Sequence, residues 1–203
     1  MNIKIVYFFV LISIVLLVGC RPATPKKSGQ GTPENFIEKF ITATLMNDEN
    51  AYLECHLPGT RRECVLLELK MSQKLFEFYE SLTSKFGDDA YQVFNESYAG
   101  GWSSYRVEIL VGVSMKDLPA LLKKIEVWTE MDTARVKVYP LVGDALTFRL
   151  KKTNGVWYYS TKSSWPDDPI KRDIGAYQAA LDHINDPDVT IDDLKRIHNH
   201  PIV

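Results

Sequence analysis

The spacing of apolar residues changes period partway along the chain, and that change limits the folds open to it. Phe36, Ile37, Phe40, Ile41, Thr44 and Leu45 recur at helical spacing, and Leu67, Met71, Leu75, Phe78, Leu82 and Phe86 do so again. From Tyr105 onward alternation takes over, with Val107, Ile109, Val111 and Val113 set off by Arg106 and Glu108. Helices first and strands after them predict an α+β domain, its N-terminal helices packed on one face of an antiparallel sheet.

Local signals divide this pattern into elements. Thr32 is placed to cap a first helix, and Pro33 suits the first helical position because its missing N–H would be unbonded there anyway. The polar run Asn47-Asp48-Glu49-Asn50 interrupts, a shorter helix over 51–57 ends at Pro58-Gly59, and a long third helix over 63–86 ends at Gly87. After the alternating stretch at 105–113, Ser114 and Asp117 have the spacing of a capping box, which predicts a short helix despite Pro119. Strand patterns return at 125–131 and 134–139. Asp168-Pro169 opens a further helix with Ile170, Ile174, Tyr177, Leu181 and Ile184 on one side, and Thr190 with Asp193 caps a last short one.

The strongest local element is "LTFRLKKTNGVWYYST" at 146–161, where Asn154-Gly155 joins two alternating runs. A two-residue loop pairs Thr153 with Val156, Lys152 with Trp157 and Leu150 with Tyr159. Leu146, Phe148, Leu150, Trp157 and Tyr159 then share one face, and Thr147, Arg149, Lys151 and Tyr158 the other.

At the N-terminus a single lysine, Lys4, precedes an apolar run over 5–18 broken only by Ser13. A bilayer span takes about 20 apolar residues, so the run reads as a secretory signal rather than a permanent span. It ends in Leu17-Val18-Gly19-Cys20, which resembles the lipobox of bacterial lipoproteins. The resemblance implies cleavage of residues 1–19 and a diacylglycerol thioether on Cys20, the thiol being the nucleophile that takes the lipid. Residue 21 is arginine rather than the aspartate that resembles an inner-membrane retention signal. In a Gram-negative cell that implies the periplasmic side of the outer membrane. The stretch 20–31, "CRPATPKKSGQG", holds no large apolar residue and reads as a lipidated cysteine with a flexible tether reaching roughly 15–20 Å.

The remaining 32–203 is expected to form one domain. The helices within "FIEKFITATLMNDENAYLECHLPG" and the hairpin "LTFRLKKTNGVWYYS" together resemble the NTF2-like, cystatin-like cone domains found on many bacterial lipoproteins. That likeness spans about 33–165 and implies a curved sheet; the helices after Asp168, to about residue 200, are an addition to it. In such domains the cone between helices and sheet can hold a ligand or an acid/base site. Trp128, Trp157 and Tyr159 are the aromatics expected to line it. Glu126, Glu130 and Asp132 are the carboxylates an isomerase or hydrolase could use, although they are equally ordinary solvent-face residues.

Charge and cysteines narrow the classes further. Without residues 1–19, which carry only Lys4, the chain has 23 basic and 26 acidic residues, so nucleic acid is not an expected partner. Three cysteines are present. With Cys20 lipidated, Cys55 and Cys64 remain in an oxidising setting, and Pro58-Gly59 between them can turn the chain back. A Cys55–Cys64 disulfide is expected; two free thiols, or a metal site including His56, are the alternatives.

Other chemistry is weakly signalled. No phosphate-binding glycine loop, G-x-S-x-G elbow or H-E-x-x-H motif occurs. Asp186, Asp188, Asp192 and Asp193 lack the glycine and glutamate of a calcium loop and suit a helix start. His198 and His200 read as a solvated tail, and Cys55-His56, being chain neighbours, do not suit a catalytic dyad. No cofactor, metal or catalytic residue is expected. A binding or interaction module, taking an unknown small ligand or protein partner, is the leading function; an acid/base enzyme is the alternative.

Overall fold

A computed structural model describes residues 30–96, 110–140, 145–160 and 167–199 of the 203-residue chain. The described residues before position 97 form α1 (Pro33–Leu45), α2 (Glu49–Glu54), α3 (Arg62–Phe86) and α4 (Ala90–Glu96). A short helix, α5 (Leu118–Leu122), leads into β1 (Glu126–Glu130), β2 (Thr133–Val138), β3 (Leu146–Thr153) and β4 (Val156–Tyr159). Helices α6 (Asp167–Ile184) and α7 (Ile191–Asn199) follow. The strands form one antiparallel sheet in the order β1-β2-β3-β4, so the protein is an α+β domain.

Short-range chemistry sets the helix ends. Thr32 Oγ1 accepts from the Asn35 N–H at 3.2 Å, with Pro33 at the first position of α1. Asn47 stops the chain after α1 in a left-handed conformation, φ +52°, and Asp48 caps α2 by accepting from the Ala51 N–H at 3.0 Å. Helix α2 ends at Glu54, earlier than the apolar pattern suggested. Gly87, φ +97°, closes α3 with its N–H on the Thr83 carbonyl. Both capping boxes form: Asp117 Oδ2 accepts from the Ser114 N–H and hydroxyl, and Asp193 Oδ2 from those of Thr190.

The Asn154-Gly155 hairpin has the expected register, pairing Thr153 with Val156, Lys152 with Trp157 and Leu150 with Tyr159. Both turn residues have positive φ, which is what a tight hairpin twisted like its strands demands. One expected strand is corrected. Residues 110–113 turn rather than extend: the Val113 N–H bonds the Leu110 carbonyl, and Gly112 sits at φ +71°. A Cβ there would lie 2.8 Å from the Tyr79 hydroxyl, so both conformation and space call for glycine. The remainder of that expected strand, 105–109, lies outside the described residues.

Two apolar cores result. In the first, α1, α2, α5 and the start of α3 cover one face of the sheet, with Phe36, Phe40, Tyr52, Leu69, Val136, Phe148, Trp157 and Tyr159 buried. In the second, Met71, Leu75, Phe78 and Leu82 of α3 pack with Phe94 of α4, Tyr177 and Ile184 of α6, and Leu194 of α7. Phe76 touches both, making α3 the common wall.

The sheet's two edges differ. The outer edge of β4 is closed: the Trp157 N–H bonds the Gln30 carbonyl at 3.0 Å, and the Tyr159 N–H bonds the Cys55 carbonyl at 2.8 Å. Buried Gln30 also donates through Nε2 to the carbonyls of Trp157 and Glu54, each at 3.1 Å. Strand β1 forms the other edge and is largely exposed. Its acidic ends, Glu126 and Glu130, suit an edge that must not pair with another chain.

Candidate functional site

The polar groups buried against the sheet gather where α2 ends. His56 follows Cys55, the C-terminal cap of α2, and makes an isolated bridge with Tyr159 of β4. Its Nδ1 lies 2.9 Å from the Tyr52 carbonyl four residues back. A carbonyl oxygen only accepts, so Nδ1 carries the proton and Nε2 faces away from α2. There Nε2 stands 3.8 Å from Oε2 of Glu68 on α3, beyond hydrogen-bond reach, and has no hydrogen-bond partner. The histidine side chain is 3% exposed and that of Glu68 22%, so the pair meets solvent through the carboxylate.

Aromatic rings enclose the imidazole. Tyr52 lies 5.0 Å away between centroids, Tyr159 5.6 Å edge-on and Phe40 6.3 Å. Burial, followed by the neighbouring Glu68, Tyr159 and Cys55, pushes the Tyr52 hydroxyl well above the usual tyrosine range. Tyr52 therefore stays protonated and is not a base. The arrangement brings an imidazole nitrogen and a carboxylate near one another without a hydrogen bond between them. It reaches solvent only at Glu68.

Of the residues singled out from the sequence, Cys55, His56 and Tyr159 meet here, and Trp128, Glu126, Glu130 and Asp132 do not. Strand register puts Val127 opposite Val136 on the core face and Trp128 opposite Arg135 on the other. Trp128 is thus corrected from cone lining to the outer face, where it is 50% exposed, whereas Trp157 and Tyr159 are buried in the first core. Glu126, Glu130 and Asp132 are exposed, the first two beside Trp128 and the third in the β1–β2 turn. Glu126 accepts from the Tyr139 hydroxyl at 2.6 Å. Tyr139, then Glu126, holds the nearby Lys137 ammonium above the ordinary lysine range.

Cys55 is buried and Cys64, near the start of α3, is half-buried; no sulfur–sulfur bond joins them in the structure. Among the described residues, no group of three or more His, Cys, Asp and Glu side chains could hold a metal ion, and no helix is long and apolar enough to cross a membrane. An open groove of about 560 Å³ lies elsewhere, between the ends of α3 and α6, lined by Glu80, Ser84, Lys85, Ile184 and Pro187 among others. Lys85 closes the end of α6 there, donating to the carbonyls of Ile184 and Asp186. His198 and His200 lie where no side chain is described.

The His56–Glu68 pair is not legible in the sequence, because Glu68 comes from another helix while the chain neighbour of His56 is Cys55. Only a polar residue directly after a helix end could have hinted at it. No family model, curated protein or solved structure matches the chain.

Proposed function

We propose that the protein is a membrane-anchored bacterial lipoprotein of the cell envelope, its NTF2-like domain serving as a binding or interaction module. The observation that carries this is Leu17-Val18-Gly19-Cys20 at the end of a short apolar run, followed by a polar tether. Helices on one face of an antiparallel meander ending in the Asn154-Gly155 hairpin support the NTF2-like assignment. The space between helices and sheet is occupied by aromatic rings: Phe40 stands 5.2–6.0 Å from Phe36, Tyr52, Phe148 and Tyr159. That filling favours surface recognition over a ligand held in the cone. The alternative, an acid/base enzyme, draws support only from the approach of His56 to Glu68, because Glu126, Glu130 and Asp132 face solvent.

Mass spectrometry of the membrane fraction tests the anchor. A peptide beginning at Cys20 should carry the mass of a diacylglyceryl group, and a soluble protein cut elsewhere would refute it. In a Gram-negative host the protein should fractionate with the outer membrane.

A further inference from the structure

Arg135 and Arg149 are direct cross-strand partners on the exposed face of β2 and β3. Like charges placed opposite one another weaken a strand pair, so the arrangement costs stability. Among the described residues neither guanidinium joins an ion pair, and nor does exposed Lys151, two positions along β3 on the same face. Trp128 extends the row, because the register sets it opposite Arg135 on β1. An indole and two unneutralised guanidiniums therefore lie in line across three strands, with an ammonium beside them. Glu126, Glu130 and Asp132 bound the patch on the β1 side, the first of them held by Tyr139.

This chemistry suits phosphate diesters at a bilayer surface. Guanidinium forks match phosphate oxygens in pairs, and an indole settles where headgroups meet acyl chains. A second copy suits it less: face-to-face sheets would bring arginines near arginines, and β1 pairing antiparallel with another β1 would oppose Glu126 to Glu130. The tether also fits. Gln30 is bonded to the outer edge of β4, and strands about 4.8 Å apart put β3 and β2 about 10 and 14 Å from it, within the roughly 15–20 Å expected of the tether from its sequence. A few basic side chains hold a free protein to a membrane only weakly, but an anchor makes the contact intramolecular.

Resting on the lipid-anchor reading above, we propose that Trp128, Arg135, Arg149 and Lys151 dock the sheet onto anionic phospholipid headgroups of the membrane that holds the anchor. The test uses the full protein, purified from membranes, in phosphatidylcholine vesicles with or without phosphatidylglycerol. The lipids are brominated close to the headgroup, and tryptophan quenching is compared with Trp128→Phe. A Trp128-dependent part of the quenching should appear in the anionic vesicles. In Arg135→Gln/Arg149→Gln the ratio of docked to undocked protein should fall roughly thirtyfold. All the substituted side chains are exposed, and circular dichroism checks that the variants fold. Equal quenching in native protein and Trp128→Phe, or quenching indifferent to phosphatidylglycerol, overturns the proposal. Loss of the Trp128 signal on adding inorganic phosphate at constant ionic strength assigns the patch to free phosphate and overturns membrane docking. Lipid analysis of Cys20 in the same preparation separates the two readings. Protein without the lipid fails the anchor and tethered docking with it, whereas lipidated protein without Trp128 quenching fails the docking alone.

Discussion

The two cores share helix α3 but are held together by different kinds of contact. On the sheet side, backbone groups far apart in sequence bond directly: Gln30 with Trp157, and Cys55 with Tyr159. Polar side chains are buried there as well, among them Gln30, Thr44 and His56. On the helical side, α3 and α6 pack along their apolar faces, with Phe78 ringed by Phe94 at 4.9 Å and Tyr177 at 5.4 Å. The difference follows from the backbone. A strand at a sheet edge leaves N–H and C=O groups that something must satisfy, whereas a helix satisfies its own. Polar side chains are buried on both sides, but Gln30 bridges separate elements where β4 needs closing, whereas among the helices buried Ser72 of α3 bonds the Glu68 carbonyl of its own helix and buried Asp173 lies on α6.

The largest expected effects test whether the shared helix makes the cores one cooperative unit. Phe40→Ala and Phe78→Ala each empty a fully buried site and should cost roughly 3–5 kcal/mol. Because α3 walls both cores, each variant should shift a single denaturant transition followed by circular dichroism. A two-step curve for Phe78→Ala would show that the helical side unfolds by itself.

The next effect belongs to the sheet side alone. Resting on the lipid-anchor reading, we propose that the thiol-oxidising machinery of the cell envelope takes two electrons and two protons from Cys55 and Cys64 to join them in a disulfide, worth roughly 2–3 kcal/mol for so short a loop. Thiol labelling of the denatured, unreduced protein should then find neither cysteine reactive; labelling of both would reject the bridge.

Gln30→Ala should cost about 1–3 kcal/mol, since it removes two donated hydrogen bonds and leaves the buried carbonyl of Trp157 and the part-buried one of Glu54 without them. Hydrogen exchange should speed up at the Trp157 and Tyr159 amides and leave those of α6 unchanged. Equal acceleration in α6 would erase the distinction between the cores.

The smallest effects come from the two capping boxes, one on each side. Hydrogen bonds from the Ser114 and Thr190 side chains, then from their backbone N–H groups, hold Asp117 and Asp193 below the usual aspartate range. A carboxyl lowered in the folded state adds stability that is complete above the unfolded value, near 3.9, and is lost as pH falls through the lower folded value. Asp117→Asn and Asp193→Asn should each flatten that acid limb slightly, while the difference from native protein at neutral pH persists. Both side chains are partly exposed to solvent, so the change should be near the limit of a urea titration.

What could be read from the sequence was whatever a few neighbouring residues decide. Asn154-Gly155 set a hairpin register because only certain residues tolerate positive φ twice in succession, and that register sorted every β3 and β4 side chain to a face. Residues 110–113 misled for a related reason. Their apolar alternation was genuine, but Gly112 turns the chain against Tyr79, a residue of α3 that no local pattern brings near. Trp128 was misplaced although its alternation with Val127 was legible. Its aromatic character suggested burial, and its parity with Glu126 and Glu130 decided otherwise.

By itself, then, the sequence determined the α+β order of elements, the caps and the hairpin register, because these depend on conformational preferences acting over a few bonds. It also supplied the lipobox pattern on which the proposed anchor rests. Tertiary structure alone decided that Glu68 approaches His56, that Gln30 closes β4, and that Arg135 faces Arg149 in line with Trp128. Each of these joins residues from separate elements. Their meeting depends on how helices cross and how strands align, and hydrophobic burial, being non-directional, leaves that choice to the packing of the whole chain.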